Sequence, residues 1–136
     1  LVPGLSATYW EAGQILGAAS IAVSVEAEDG AQTVLFSGDV GSGARVFVAD
    51  PQGPSGVDHL VVESTYGDRL RPAGDAAARR QALAEELAAA HAAGGPLLIP
   101  AFAVERSQEL LVDLLTLMDE GLAPRGDIFL DSPLAI

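Results

Sequence analysis

The chain has 136 residues, 49% of them hydrophobic, which is enough for one modest domain or parts of two and excludes a disordered polymer. Its formal net charge of −12, with all seven basic residues arginine, opposes nonspecific adhesion to polyphosphate but leaves open a hydrolase whose carboxylates are neutralised by metal ions. Without cysteine there is no disulfide framework, thiolate zinc knuckle or thiol nucleophile; a cytoplasmic location is the expectation, and the apolar runs are too short to cross a bilayer, so no membrane partner is expected.

Leu1 in place of an initiator, a sole methionine at Met118 and the ending Asp131-Ser132-Pro133-Leu134-Ala135-Ile136 lead us to expect an internal segment of a longer protein. Residues 12–25 read as a buried hairpin rather than a signal-peptide core, because Glu11 and no basic stretch precedes them. From Ser20 to Val25, Ile21, Val23 and Val25 alternate as on a half-buried strand. Glu28-Asp29-Gly30 is a turn signal, and Thr33-Val34-Leu35-Phe36 the returning strand. After a loop at Gly38-Asp39-Val40-Gly41-Ser42-Gly43 and a connection from Pro51 to Gly56, Asp58-His59-Leu60-Val61-Val62-Glu63 predicts a strand buried on both faces.

The pattern changes beyond Tyr66-Gly67-Asp68, and a domain transition is expected between Gly67 and Pro72. Residues 75–93 predict a helix capped by Asp75, with Leu83, Leu87 and Ala90 at helical spacing and Gly94-Gly95-Pro96 ending it. Pro96-Leu97-Leu98-Ile99-Pro100 predicts a short strand. A second helix is expected from about Val104 to Asp119, with Leu110, Leu111, Leu114, Leu115 and Met118 on one apolar face and Gly121 closing it. Asp127-Ile128-Phe129-Leu130-Asp131 would complete an α/β alternation that predicts a parallel sheet covered by helices.

Phe36-Ser37-Gly38-Asp39 ends an apolar strand in a glycine-containing turn that can project Asp39 from rigid support, as a metal ligand requires; on this tetrapeptide alone an Asp capping its own turn is the favoured reading. Glu63-Ser64-Thr65-Tyr66-Gly67 sets a second carboxylate at a strand exit, suited to orienting a histidine or moving a proton, or else a plain loop carboxylate. Gln14, within Ala12-Gly13-Gln14-Ile15-Leu16-Gly17, occupies a tight loop entering a strand.

Five stretches, in order, resemble the signatures of the β-CASP branch of the metallo-β-lactamase-fold RNA-processing nucleases, the group that includes ribonuclease J and the pre-mRNA 3′-end cleavage endonuclease. They are Gly13-Gln14-Ile15-Leu16-Gly17-Ala18-Ala19, Leu35-Phe36-Ser37-Gly38-Asp39, Glu63-Ser64-Thr65-Tyr66-Gly67-Asp68-Arg69, the run from Ile99 to Glu109, and Asp131-Ser132-Pro133-Leu134-Ala135. The resemblance implies that residues 1–68 are the later half of a metallo-β-lactamase αββα sandwich and residues 69–136 the beginning of a β-CASP α/β domain. It further implies two zinc ions that activate a water for attack on an RNA phosphodiester, Asp39 as the aspartate bridging both metals, and Glu63 as a carboxylate orienting a later histidine. Cleavage within RNA and exonuclease action from an end both occur in the group, and the Glu-Ser-Thr-Tyr-Gly form favours RNA over DNA.

The chain departs from the pattern at Gln14, where the family has a zinc-binding histidine; a neutral amide is a far weaker zinc donor. The family's histidine-rich first metal motif is absent from the chain, so stoichiometric zinc and catalysis by this segment alone are not expected. His91 near a helix end and His59 at a strand entry read as surface residues that do not replace the missing ligand, and Arg71 stands near a place where relatives often show histidine. Arg106-Ser107-Gln108-Glu109 fits a helix start with a surface ion pair. The expectations are therefore a zinc-dependent ribonuclease as the parent, or a catalytically degenerate paralogue that binds RNA or protein. Its partners would be RNA, the rest of the same chain, and a second copy associating through exposed strand faces.

Overall fold

The computed structural model describes residues 2–43, 45–70 and 76–135, and the chain divides into two compact units, Leu1–Leu70 and Arg71–Ile136. The expectations for Arg71 and for Asp75 as a helix cap lie outside the described residues.

The first unit is a four-stranded mixed sheet in the order β1-β2-β3-β4, formed by β1 (Leu5–Glu11), β2 (Ala19–Ala27), β3 (Gly30–Phe36) and β4 (His59–Val61). β1 to β3 make an antiparallel meander, with Tyr9 opposite Ile21 and Ile21 opposite Phe36. β4 joins β3 in parallel, with Phe36 opposite Val61. β1 is a strand that the sequence reading passed over, although Thr8-Tyr9-Trp10 has the β-branched and aromatic character of one.

Burial corrects two expectations. In β2 the buried positions are Ser20 and Ala22, whereas Ile21 and Val23 are half-buried and Val25 is exposed. In the register Ala22 lies opposite Leu35, and the loop preceding β4 runs beside Leu35, where a Cβ on Gly53 would stand 3.8 Å from the Leu35 Cδ2. The expected doubly buried strand is instead an exposed sheet edge. Among the described residues β4 has a neighbour on one side alone, and Leu60 and Val61 are 56% and 53% exposed.

The second unit contains α1 (Ala76–Ala93) and α2 (Arg106–Asp119). Gly94 closes α1 at φ 72°, its N–H donating to the carbonyls of Ala90 and His91. α2 ends in a Schellman motif: Gly121 at φ 71° donates to the Met118 carbonyl and Leu122 to that of Leu117. The expected strands over Pro96–Pro100 and Asp127–Asp131 do not form, and no sheet is present among the described residues of this unit. A strand needs a hydrogen-bonding neighbour; with none beside them, Leu98 and Phe129 stand about nine-tenths exposed.

The buried face of α2 is also rotated from the expected one. It holds Ser107, Glu109, Asp113, Leu114 and Leu117, while Leu115 is exposed. Two buried acids on that face are paired with arginines. Arg79 Nε of α1 lies 2.7 Å from Asp113 Oδ2, and Arg106 Nη1 lies 3.0 Å from Glu109 Oε2. With Glu109 only 1% exposed, the pair expected at the surface is buried on its acid side. The Asp113 carboxylate, chiefly by its hydrogen bond, raises the Arg79 pKa and keeps the guanidinium charged.

Replacing Gly121 by alanine keeps the helix but forces a Cβ into the left-handed region. Denaturant unfolding is expected to show a loss of about 1 kcal/mol, with little change for Gly95→Ala, where a Cβ meets open space and φ is not positive.

Candidate active-site edge

Strand direction decides which end of the sheet carries chemistry. β1 and β3 are both antiparallel to β2, and β4 is parallel to β3, so β1, β3 and β4 run the same way. Their exits after Glu11, Phe36 and Val61 therefore share one edge, and the loops that follow carry Gln14, Asp39 and Glu63. The carboxyl ends of parallel strands are where such sheets commonly build sites. His59 begins β4, opposite Val34, away from that edge, and His91 is in α1 of the other unit.

The loops are joined by backbone. Gly41 N–H donates to the Ala12 carbonyl at 2.8 Å, and Gln52 N–H to the Glu11 carbonyl at 2.8 Å. Gly41 lies so close to Gly13 that a Cβ there would collide with the Gly13 carbonyl. Gly13, at φ 67°, is pressed against Pro51, whose Cδ would be 2.7 Å from a Cβ. Glu11 Oε1 accepts the Gly13 N–H at 3.1 Å. Gln14 itself is half-buried, and Asp39 is exposed beyond Gly38, which turns the chain at φ 57°.

Glu63 is the most constrained of the three. Its Oε1 accepts the Val40 N–H at 2.9 Å and its Oε2 the Thr65 N–H at 3.2 Å. The Thr65 hydroxyl bond, followed by the two backbone bonds, holds the Glu63 carboxyl below its ordinary pKa. Bonds from donors favour the ionised form, so their stabilisation is present above the ordinary carboxylate value and is lost as pH falls through the lowered one. Thr65 and Ser37, which donates to Gly38 and receives the Glu63 N–H at 3.0 Å, belong to this edge although sequence reasoning gave them no role. The hydroxyl at each strand exit was the available signal.

No protein-family model matches the chain. Sequence relatives are informative. The chain is 39% identical over 132 residues to ribonuclease TTHA0252 of Thermus thermophilus, covering 96% of this chain and 28% of the relative. It is 33% identical over 129 residues to an RNase J-like protein of Methanocaldococcus jannaschii, covering 93% of this chain and 29% of the relative. It is also 32% identical over 115 residues to the endoribonuclease ysh1 of Aspergillus fumigatus, covering 83% of this chain and 12% of the relative. The chain belongs to the β-CASP branch of the metallo-β-lactamase-fold RNA-processing nucleases, and it spans less than a third of the length of these relatives.

The described residues of this chain do not by themselves make up the two-zinc centre implied by that family. Asp39 supplies one carboxylate and Gln14 a neutral amide, and no cluster of three or more His, Cys, Asp or Glu able to hold a metal occurs among the described residues.

Two outcomes are expected. Gly41→Ala should destabilise the edge by about 1–3 kcal/mol in denaturant unfolding, because backbone rather than a yielding side chain opposes the new methyl. In carboxyl-carbon NMR, Glu63 should titrate below an ordinary glutamate, and Thr65→Val should move it upward.

Proposed function

We propose that the full-length protein carrying this chain hydrolyses RNA phosphodiester bonds, that it works in the cytoplasm, and that this segment contributes part of the active-site edge without being an enzyme by itself. The observation that supports this reading is the parallel β3–β4 pair, whose two exits bring Asp39 and Glu63 to one edge with Glu63 held by donors that keep it ionised. In this reading Glu63 orients or exchanges a proton with a group from another part of the protein, and Asp39 offers its carboxylate to a metal. The names of the relatives, ribonuclease and endoribonuclease, support RNA as the substrate.

Gln14 favours a second reading, a catalytically degenerate member that binds RNA or a protein partner. Its loop is docked by backbone beside Gly41, yet its amide is a weak zinc donor, and metal affinity at that position falls.

One set of measurements separates the two: zinc stoichiometry and RNA cleavage by the full-length wild type and its Gln14→His, Asp39→Ala and Glu63→Gln forms. For the nuclease, the wild type cleaves RNA and both carboxylate variants lose roughly 100-fold or more in kcat. For the degenerate member, the wild type binds RNA or a partner without cleaving, and Gln14→His increases bound zinc. A wild type that neither cleaves nor binds RNA defeats the RNA reading.

A further inference from the structure

The ladder between β3 and β4 contains an irregularity at the exit. In a regular parallel pair, a residue whose N–H bonds to one partner residue receives at its carbonyl the N–H from two residues further along that partner. Ser37 N–H donates to the Val61 carbonyl at 2.9 Å, so Glu63 N–H would be due at the Ser37 carbonyl. It goes instead to Ser37 Oγ, at 3.0 Å. The released Ser37 carbonyl accepts the hydroxyl of Ser20 on β2, at 2.7 Å, and the Ser37 hydroxyl proton goes to the Gly38 carbonyl, also at 2.7 Å. Both serines are buried.

These bonds close a ring. Ser37 Oγ holds the backbone of Glu63, and the Glu63 carboxylate holds the Val40 N–H, two residues beyond the Gly38 whose carbonyl Ser37 also fixes. Asp39 lies inside that ring, between Gly38 and Val40. A carbonyl in place of the hydroxyl would continue the strands as a straight ladder; the hydroxyl lets them part while remaining bonded. We propose that Ser37 is a positioning residue, whose side-chain hydroxyl replaces a ladder bond and thereby fixes the Asp39 loop against Glu63, with Ser20 retaining the displaced carbonyl. Its consequence for chemistry rests on the RNA-hydrolysis reading above; its consequence for the ring does not.

The test uses the full-length protein and reads amide hydrogen exchange at Val40, which Ser37 does not touch. Ser37→Ala is expected to lower Val40 protection about tenfold, while amides pairing β1 with β2 keep theirs. Ser37→Thr, which retains the hydroxyl, restores protection. Should the alanine form fail to fold, Ser37→Cys fills the space with a weak acceptor and is expected to show the same local loss. Unchanged Val40 protection in the alanine or cysteine form, a uniform loss over the sheet, or a threonine form as unprotected as alanine overturns the proposal. Where the wild type cleaves RNA, kcat of the alanine form should fall roughly 10- to 100-fold with KM little changed, and an unchanged kcat overturns the positioning role. A wild type without cleavage overturns the hydrolase reading instead, and exchange at Val40 still decides the role of Ser37.

Discussion

The parallel pairing of β4 with β3 is the constraint on which the candidate site depends. An antiparallel β4 would send Glu63 to the opposite end of the sheet from Asp39. Because the strands are parallel, the two carboxylates leave the sheet together, and because the pairing covers only three residues, from Val34–His59 to Phe36–Val61, side chains have to finish what the ladder does not. Asp58 begins that work at the entry, where its carboxylate accepts the Thr33 N–H at 2.7 Å. Ser37 and Glu63 complete it at the exit. A short edge strand is thus pinned at both ends by polar side chains, and its apolar residues, exposed in this chain, contribute little to holding it.

Local chemistry made much of this legible. The hairpin turn before Gly30, both helices and their glycine closures follow from spacing and from the conformations that glycine alone adopts cheaply. So did the presence of Asp39 and Glu63 after strands. Relations across the chain were less accessible. Nothing in the order of residues 31–63 states that the last strand pairs in parallel, and the interception of a ladder bond by Ser37 depends on a register that exists only after pairing. The alternation Ile21-Val23-Val25 was real, but burial is decided by what lies over a face, and here it is Ser20 and Ala22 that are buried, Ala22 opposite the Leu35 beside which the loop around Gly53 runs.

The second unit fails the sequence expectation for a related reason. Apolar runs at residues 96–100 and 127–131 have strand composition, yet composition supplies no partner, and strand structure is a property of pairs. Its helices pack in a way that hydrophobic periodicity does not describe. Asp113 and Glu109 lie on the buried face of α2, each matched by an arginine, so part of the packing is electrostatic and directional. Removing one partner of such a pair leaves a desolvated charge, whereas removing an exposed Leu115 forfeits little.

Gln14 acquires a sharper meaning from the manner in which its loop is held. The docking contacts are the Ala12 carbonyl, the backbone of Gly13 and the missing Cβ of Gly41; none of them involves the side chain at position 14. Stability at this edge therefore places little restriction on the side chain at residue 14. The carboxylate at Glu63 is in the opposite position: its bonds to Val40 and Thr65 make it part of the scaffold as well as of the site. Replacing Gln14 would therefore leave the docking of these loops intact, whereas replacing Glu63 would remove bonds that hold them.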